Sequence, residues 1–278
     1  MTQNQKQNQN HADRLTARER IQQAHERQAR ADRLRRRIVI GVSATALLAL
    51  AGGTALAINA ASSDGAAATD TVDVTAASAP LVVPANTSGP DGTLVVYGKA
   101  DAPHTLQVFE DFRCPVCRTF ESADGKAVQQ LADDGTYKIE YHLAAFLDTN
   151  LGGKGSHTAL AAAGAALNEG VDKFKQFHDV LYANQPDERE DAFGDVNHLL
   201  TLADKVPGLK TDAFTKAVTE GTYAPWAAKV ATAFDSSGVT GTPTVKLDGK
   251  PLTLFAGGGR TMSPEQFTAQ IQQATAAH

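Results

Sequence analysis

Residues 105–120 read TLQVFEDFRCPVCRTF. Thr105–Asp111 is mostly apolar and suits a largely buried strand. From Pro115 the pattern changes to a helix expected over Pro115–Asp133. The two cysteines of the chain, Cys114 and Cys117, fall where the strand ends and the helix begins. A spacing of three puts both sulfurs on one helical turn. Pro115 suits the first helical position, because its missing N–H would be an orphan there anyway. Cys114 then sits at the positive end of the helix, beside free N–H groups. Such a position favours a thiolate and lowers its pKa below the free value of about 8.5. Arg113 is expected to add to this. Cys117 is expected to lie beneath, less acidic, as the resolving thiol.

Other roles for the pair are weaker. A structural bridge over four residues restricts the unfolded chain by only roughly 2 kcal/mol, against about 3 for a fifteen-residue loop. Zinc needs two more ligands, and His142, His157, His178 and His198 form no ligand-spaced pair. Inert buried thiols do not suit an exposed helix start. With two cysteines in 278 residues, four-cysteine zinc and iron–sulfur centres are excluded by count.

Outward from this point, Thr93–Tyr97 reads as a short strand and Thr136–Leu143 as an alternating one. Ser156–Asn168, Lys173–Asn184, Ala192–Ala203, Thr211–Glu220 and Ala224–Ser237 read as helices. Thr244–Leu247, an Asp248-Gly249 turn and Leu252–Ala256 read as strand-turn-strand. Ser263 and Pro264 start a last helix as N-cap and first residue. Strands, a helix, a strand, a block of helices, a hairpin and a helix make an α/β sheet interrupted by a helical insertion at about 150–235. Trp226 reads as core rather than site; His157 and His178 read as packing or surface residues. Gly257-Gly258-Gly259 lacks nucleotide-binding spacing and reads as a loop.

The N-terminal quarter has a different character. Residues 1–37 carry ten Lys/Arg against four Asp/Glu, a basic polar tail on an otherwise acidic chain of net charge −5. Residues 38–58, IVIGVSATALLALAGGTALAI, hold no charge and no proline. As a helix they would rise about 31 Å, the thickness of a bilayer core. Five arginines between 30 and 37 precede them and the first charge after them is Asp64. The positive-inside rule then puts the tail in the cytoplasm and the remainder outside. Ala55-Leu56-Ala57 also fits a cleavage site, so a cleaved, secreted form is the rival to a signal anchor. Residues 59–90, rich in Ala, Ser, Thr, Asp and Pro, read as a flexible tether, with Leu81, Val82 and Val83 expected to dock on the domain edge. The expected organisation is a tail (1–37), a transmembrane helix (38–58), a linker (59–90) and one exported domain (91–278). The acidic main body is a poor match for nucleic acid.

The stretches GKADAPHTLQVFEDFRCPVC, FKQFHDVLYANQ and GVTGTPTVKLDGK, in that order, resemble the DsbA-like thioredoxin-fold thiol-disulfide oxidoreductases, most closely the membrane-anchored actinobacterial type. The resemblance covers about 92–278. It implies a thioredoxin fold with an inserted helical domain and a cis Pro243 facing the Cys114–Cys117 pair. It implies that Thr242 offers backbone hydrogen bonds to a substrate strand, a role strand addition allows. Many relatives carry a buried carboxylate six residues before the first cysteine; here that position is Val108. Glu110, on the same strand face, is the candidate proton acceptor for Cys117, the alternative being a partly exposed strand-end acid. The Pro115-Val116 dipeptide replaces the Pro-His of DsbA, and valine cannot donate a hydrogen bond to the thiolate. A less acidic Cys114 is expected, with a potential between about −120 mV (DsbA) and −270 mV (thioredoxin).

The expected activity is extracytoplasmic oxidation of dithiols in exported proteins, without metal or organic cofactor. By resemblance, a quinone-linked membrane oxidase would reoxidise the pair. A reductase or isomerase on the same fold, and a tethered binding or chaperone module with a structural disulfide, remain alternatives. The sequence does not mark an oligomer interface.

Overall fold

The computed structural model describes residues 80–255 and 260–276. The expected tail, the 38–58 span, most of the linker, Ala256 and the three-glycine loop lie outside them. Among the described residues no helix is long and apolar enough to cross a membrane.

Strands β1 (Val95–Tyr97), β2 (Thr105–Asp111), β3 (Lys138–Ala144), β4 (Thr244–Leu247) and β5 (Lys250–Pro251) form one sheet in the order β1-β3-β2-β4-β5. The central pair β2–β3 is parallel, joined by helix α1 (Pro115–Asp134). The other pairings are antiparallel. Leu106, Val108, Ile139, Tyr141, Val245 and Leu247 are buried on one face. Against that layer pack α1 and the terminal helix α8 (Pro264–Thr275), whose Phe120 and Phe267 rings meet edge-on at 6.3 Å.

Between β3 and β4 lies the insertion: α2 (Phe146–Leu151), α3 (Gly155–Glu169), α4 (Val171–Ala183), a 3-10 turn (Ala192–Gly194), α5 (Val196–Ala203), α6 (Asp212–Thr219) and α7 (Ala224–Asp235). It begins at Phe146, earlier than the sequence suggests, because α2 is under two turns long and carries no capping side chain. The Ala-rich α3 is its hub, with Ala159, Leu160, Ala163, Ala166 and Leu167 buried. Gly164 lets Trp226 approach α3 closely: a Cβ there would stand 2.6 Å from the indole. Trp226 is therefore core, as its neighbours in sequence suggest.

Local chemistry sets most helix ends. Asp195 and Thr211 accept from Asn197 N and Phe214 N as N-caps of α5 and α6. Ser263 and Gln266 form a reciprocal capping box on α8. Gly135, at φ 86°, closes α1 in a conformation other residues adopt at a cost.

Two expectations are corrected. The second hairpin strand is Lys250–Pro251, not Leu252–Ala256. The Asp248-Gly249 turn, with both φ positive, pairs Leu247 directly with Lys250. Pro251 has no N–H to extend a regular ladder. Leu81, Val82 and Val83 stay exposed. The segment is held instead by Asn86, whose amide donates to Leu167 O at 2.8 Å, and by Trp226 Nε1 and Lys229 Nζ, which donate to Gly92 O and Asp91 O.

Candidate active site

Cys114 is the N-cap of α1, with extended backbone and Pro115 next in the helix. Its N–H donates to Asp111 O and its carbonyl accepts from Arg118 N. Both cysteines are free thiols. Cys114 is 7% exposed and Cys117 is fully buried beneath it. Val116 is 44% exposed, so the second residue of the dipeptide faces solvent beside the reactive sulfur.

The two thiols are driven apart electrostatically. The Cys117 thiol donates a hydrogen bond to the Cys114 sulfur. That bond outweighs the opposing effect of burial and, with the Thr242 side chain and the N–H groups of Cys117 and Val116, lowers Cys114 to about 7. Cys117 moves the other way, raised by burial, by the Cys114 sulfur and by the Glu110 charge. Absorbance of the reduced protein near 240 nm is expected to show a thiolate midpoint near pH 7. A midpoint at or above about 8.5, the free-cysteine value, would leave no activated nucleophile.

The Thr242–Pro243 peptide is cis. Thr242 leads into β4, and its carbonyl lies 3.5 Å from Cys114 Sγ. Thr242, 128 positions beyond Cys114, therefore meets it directly.

Arg113 does something other than expected. Its guanidinium is buried and bonds Asp148 Oδ1 at 2.7 Å, Gly152 O at 2.9 Å and Glu188 O at 2.8 Å. Asp191 Oδ1 lies 3.4 Å away. The charge is spent on the insertion rather than on the thiolate. Asp148 also accepts from Ser156 N, His157 N and His157 Nδ1. Burial would raise its carboxyl, but these bonds and Arg113 hold it at about 2. Asp111, also buried, accepts from Arg113 N, Leu147 N and Ser156 Oγ. Gln185, from the loop after α4, donates to Phe112 O at 2.7 Å and Cys114 O at 3.0 Å. Sequence reading missed Asp111, Asp148 and Gln185, which clamp the cysteine loop to the insertion.

Glu110 is fully buried, which excludes the partly exposed strand-end reading. Its Oε2 lies 3.0 Å from Nε2 of His178, also fully buried. Burial disfavours a charged imidazole, yet bonds to Asp179 and Glu110 raise His178 to about 9. His178 is thus half of an ion pair under the active site, not simple packing. Among the described residues, Glu110, Glu121 and His178 bring three potential ligand atoms within 4.8 Å of one another. The imidazole already bonds Glu110 and Asp179 through its two ring nitrogens, so neither nitrogen is free for an ion.

A family model described as Thioredoxin matches residues 91–273. Disulfide bond formation protein D of Bacillus subtilis is 29% identical over 162 residues, which is 58% of this chain and 70% of that protein. The crystal structure of oxidised DsbA from Mycobacterium tuberculosis is similar at 27% identity and TM-score 0.52, covering 70% of this chain and 88% of that one. Oxidised BdbD from Bacillus subtilis is similar at 26% identity and TM-score 0.55, covering 71% of this chain and all of that one.

Proposed function

We propose, from the premise that this chain belongs to the Thioredoxin family and within it to the DsbA-like thiol-disulfide oxidoreductases, that it introduces disulfides into exported proteins while tethered by the 38–58 helix. The observation that carries the reading is the split thiol pair. One sulfur, on a residue 7% exposed, is activated at a helix start and placed beside the Thr242 carbonyl; the other is fully buried and held protonated.

In the oxidised protein a substrate thiolate attacks the Cys114 sulfur. The Cys114–Cys117 bond breaks, and Cys117 leaves as a thiolate and takes up a proton. The second substrate thiolate then attacks the substrate sulfur of the mixed disulfide. The substrate leaves with its own disulfide, and the protein keeps both electrons as a dithiol. Cys114 departs readily because its thiolate is stabilised. Thr242 offers backbone groups to an extended substrate segment, and Val116 offers apolar surface. Pro115 holds the helix start in place. Glu110 is the proton acceptor for Cys117 when the pair is reoxidised, the step assigned to a quinone-linked membrane thiol oxidase.

A Cys114 value near 7 matches thioredoxin at about 7 more closely than DsbA at about 3.5. That favours a weaker oxidant than DsbA and keeps a reductase or isomerase role as the second reading. Equilibration in glutathione buffers, with free thiols counted by alkylation, decides between them. A potential between about −120 and −270 mV and above the glutathione pool supports disulfide donation. A potential at or below about −270 mV makes the protein a reductase. A pair that never reduces is a structural bridge and ends the catalytic reading.

A further inference from the structure

We infer that Gln185, from the loop after α4, is a positioning residue for the reactive sulfur: its side-chain amide holds the Phe112–Cys114 turn in the geometry that keeps Cys114 over the first N–H groups of α1. The inference rests on the oxidoreductase reading and deepens it, because it ties the reactivity of the cysteine to the inserted helices.

The turn does not hold itself. Cys114 is the N-cap of α1 with extended backbone at ψ 115°, and no capping side chain fixes it. Pro115 sets its own φ but has no N–H to offer. Gln185 closes this gap from outside. Its Nε2 has two hydrogens in one plane; one goes to Phe112 O at 2.7 Å and the other to Cys114 O at 3.0 Å. One rigid amide thereby sets the relative orientation of the two carbonyls that flank Arg113. The Cys114 carbonyl also accepts from Arg118 N at 3.1 Å, the first bond of the helix. Both of its lone pairs are then occupied, one by the helix and one by the insertion.

The amide can face only one way. Turned over, Oε1 would meet two carbonyl oxygens. In the observed orientation no donor among the described residues reaches Oε1, although it is buried. An orphan acceptor of this kind is a net cost to the fold. An apolar side chain of the same shape would avoid that cost, yet the fold tolerates it at the turn that carries the nucleophile.

The loop that offers the amide is itself fixed. Pro186 disfavours helical backbone at Gln185, and α4 ends at Ala183. Asn184 anchors the exit by returning its N and Nδ2 to Val180 O. Arg118 Nη1, from α1, donates to Gln185 O at 3.1 Å. Rings add to the contact: Phe112 lies 5.5 Å from Tyr182 and 5.8 Å from His178. Gln185 thus transmits the position of α4 to the Cys114 backbone. The thiolate depends on that backbone. It is stabilised by the side chains of Cys117 and Thr242 and by the N–H groups of Cys117 and Val116. Each of these bonds is short and directional, so the sulfur must stay in one place over the helix start.

The test follows the Cys114 thiolate, by its absorbance, and its attack on oxidised glutathione in the reduced full chain. That attack forms a Cys114–glutathione disulfide and releases one glutathione thiolate. Gln185→Met keeps length and volume without a donor. Gln185→Asn keeps the amide but falls one methylene short of the carbonyls. In both, the thiolate midpoint is expected to rise from about 7 to about 8, toward the free-cysteine value of about 8.5. Attachment is expected to slow about fourfold at about pH 6, where less thiolate is present, and to quicken about twofold at about pH 9, because a more basic thiolate attacks faster. The two rate profiles therefore cross. A purely structural clamp predicts lower melting temperatures with the midpoint still near 7 and no crossing. That result, or failure of both variants to fold, would overturn the assignment. A parent that never attaches glutathione at Cys114 would instead overturn the oxidoreductase reading, and this inference with it.

Discussion

Replacing Cys117 with alanine is expected to leave the protein covalently trapped on monothiols through Cys114, and replacing Cys114 with serine is expected to abolish attachment altogether. Cys114, 7% exposed where Cys117 is fully buried, is the thiol with the lowered pKa. Cys117, fully buried on the same turn, is the internal group positioned to displace a bound thiol. Well-oriented intramolecular attack corresponds to effective concentrations of at least about 10⁵ M. External thiols offer millimolar concentrations, a ratio of about 10⁸, so the mixed disulfide should persist many orders of magnitude longer without Cys117. Alanine is the right replacement, since serine would bury an unpaired hydroxyl at a cost of about 1–3 kcal/mol. Mass spectrometry of a glutathione adduct reads the lifetime directly. Equal decay in parent and Cys117→Ala, or an adduct on Cys114→Ser, would refute the division of roles.

The second large effect is on stability. Arg113→Ala removes one partner from a buried ion pair, leaves two carbonyls without their donor and leaves Asp148 with Ser156 and His157 alone. Breaking such a pair costs about 3–5 kcal/mol. For a domain of this size that lowers the melting temperature by about 10 °C. Lysine would not rescue it, because a point charge cannot reproduce a fork that serves three acceptors. The pH dependence has a definite sign. The folded-state pKa of Asp148 is depressed, so its contribution is full above about pH 4 and is lost as the pH falls through about 2. The gap between parent and Arg113→Ala should therefore narrow on acidification through that window. Thermal melts between about pH 2 and 7 measure both effects. A thiolate-stabilising Arg113 predicts the reverse: an upward shift of the Cys114 midpoint and little loss of stability. That result would return Arg113 to the redox centre.

The two effects separate what the chemistry needs from what holds it. In the proposed reaction, thiol exchange depends on Cys114, Cys117 and the backbone at Thr242. The loop presenting them is fastened by Arg113, Asp111 and Gln185 to the inserted helices and their loops, which enter the chain later. The inserted domain thus fixes the reactive turn and, through His178, carries charge beneath it.

Sequence alone determined what depends on neighbours along the chain. The apolar run of β2, the Pro115 helix start and the three-residue spacing place both sulfurs on one turn by local geometry. Periodicity and caps located the strands of the central sheet and most helices of the insertion, because 2.0- and 3.6-residue repeats and N-cap side chains act within a few residues. Two elements escaped on the same grounds. Phe146–Leu151 is too short to show a period, and the hairpin register follows from the turn's positive φ angles rather than from the apolar residues after it. Only the tertiary structure decided the fate of the charged groups. Arg113 looked like an ally of the thiolate because it adjoins it in sequence, yet its carboxylate partner comes 35 residues later. Glu110 meets His178 across 68 residues. A buried charge is set by whichever opposite charge the fold brings within about 3 Å, since a desolvated ion cannot stay unpaired. No periodicity announces that partner.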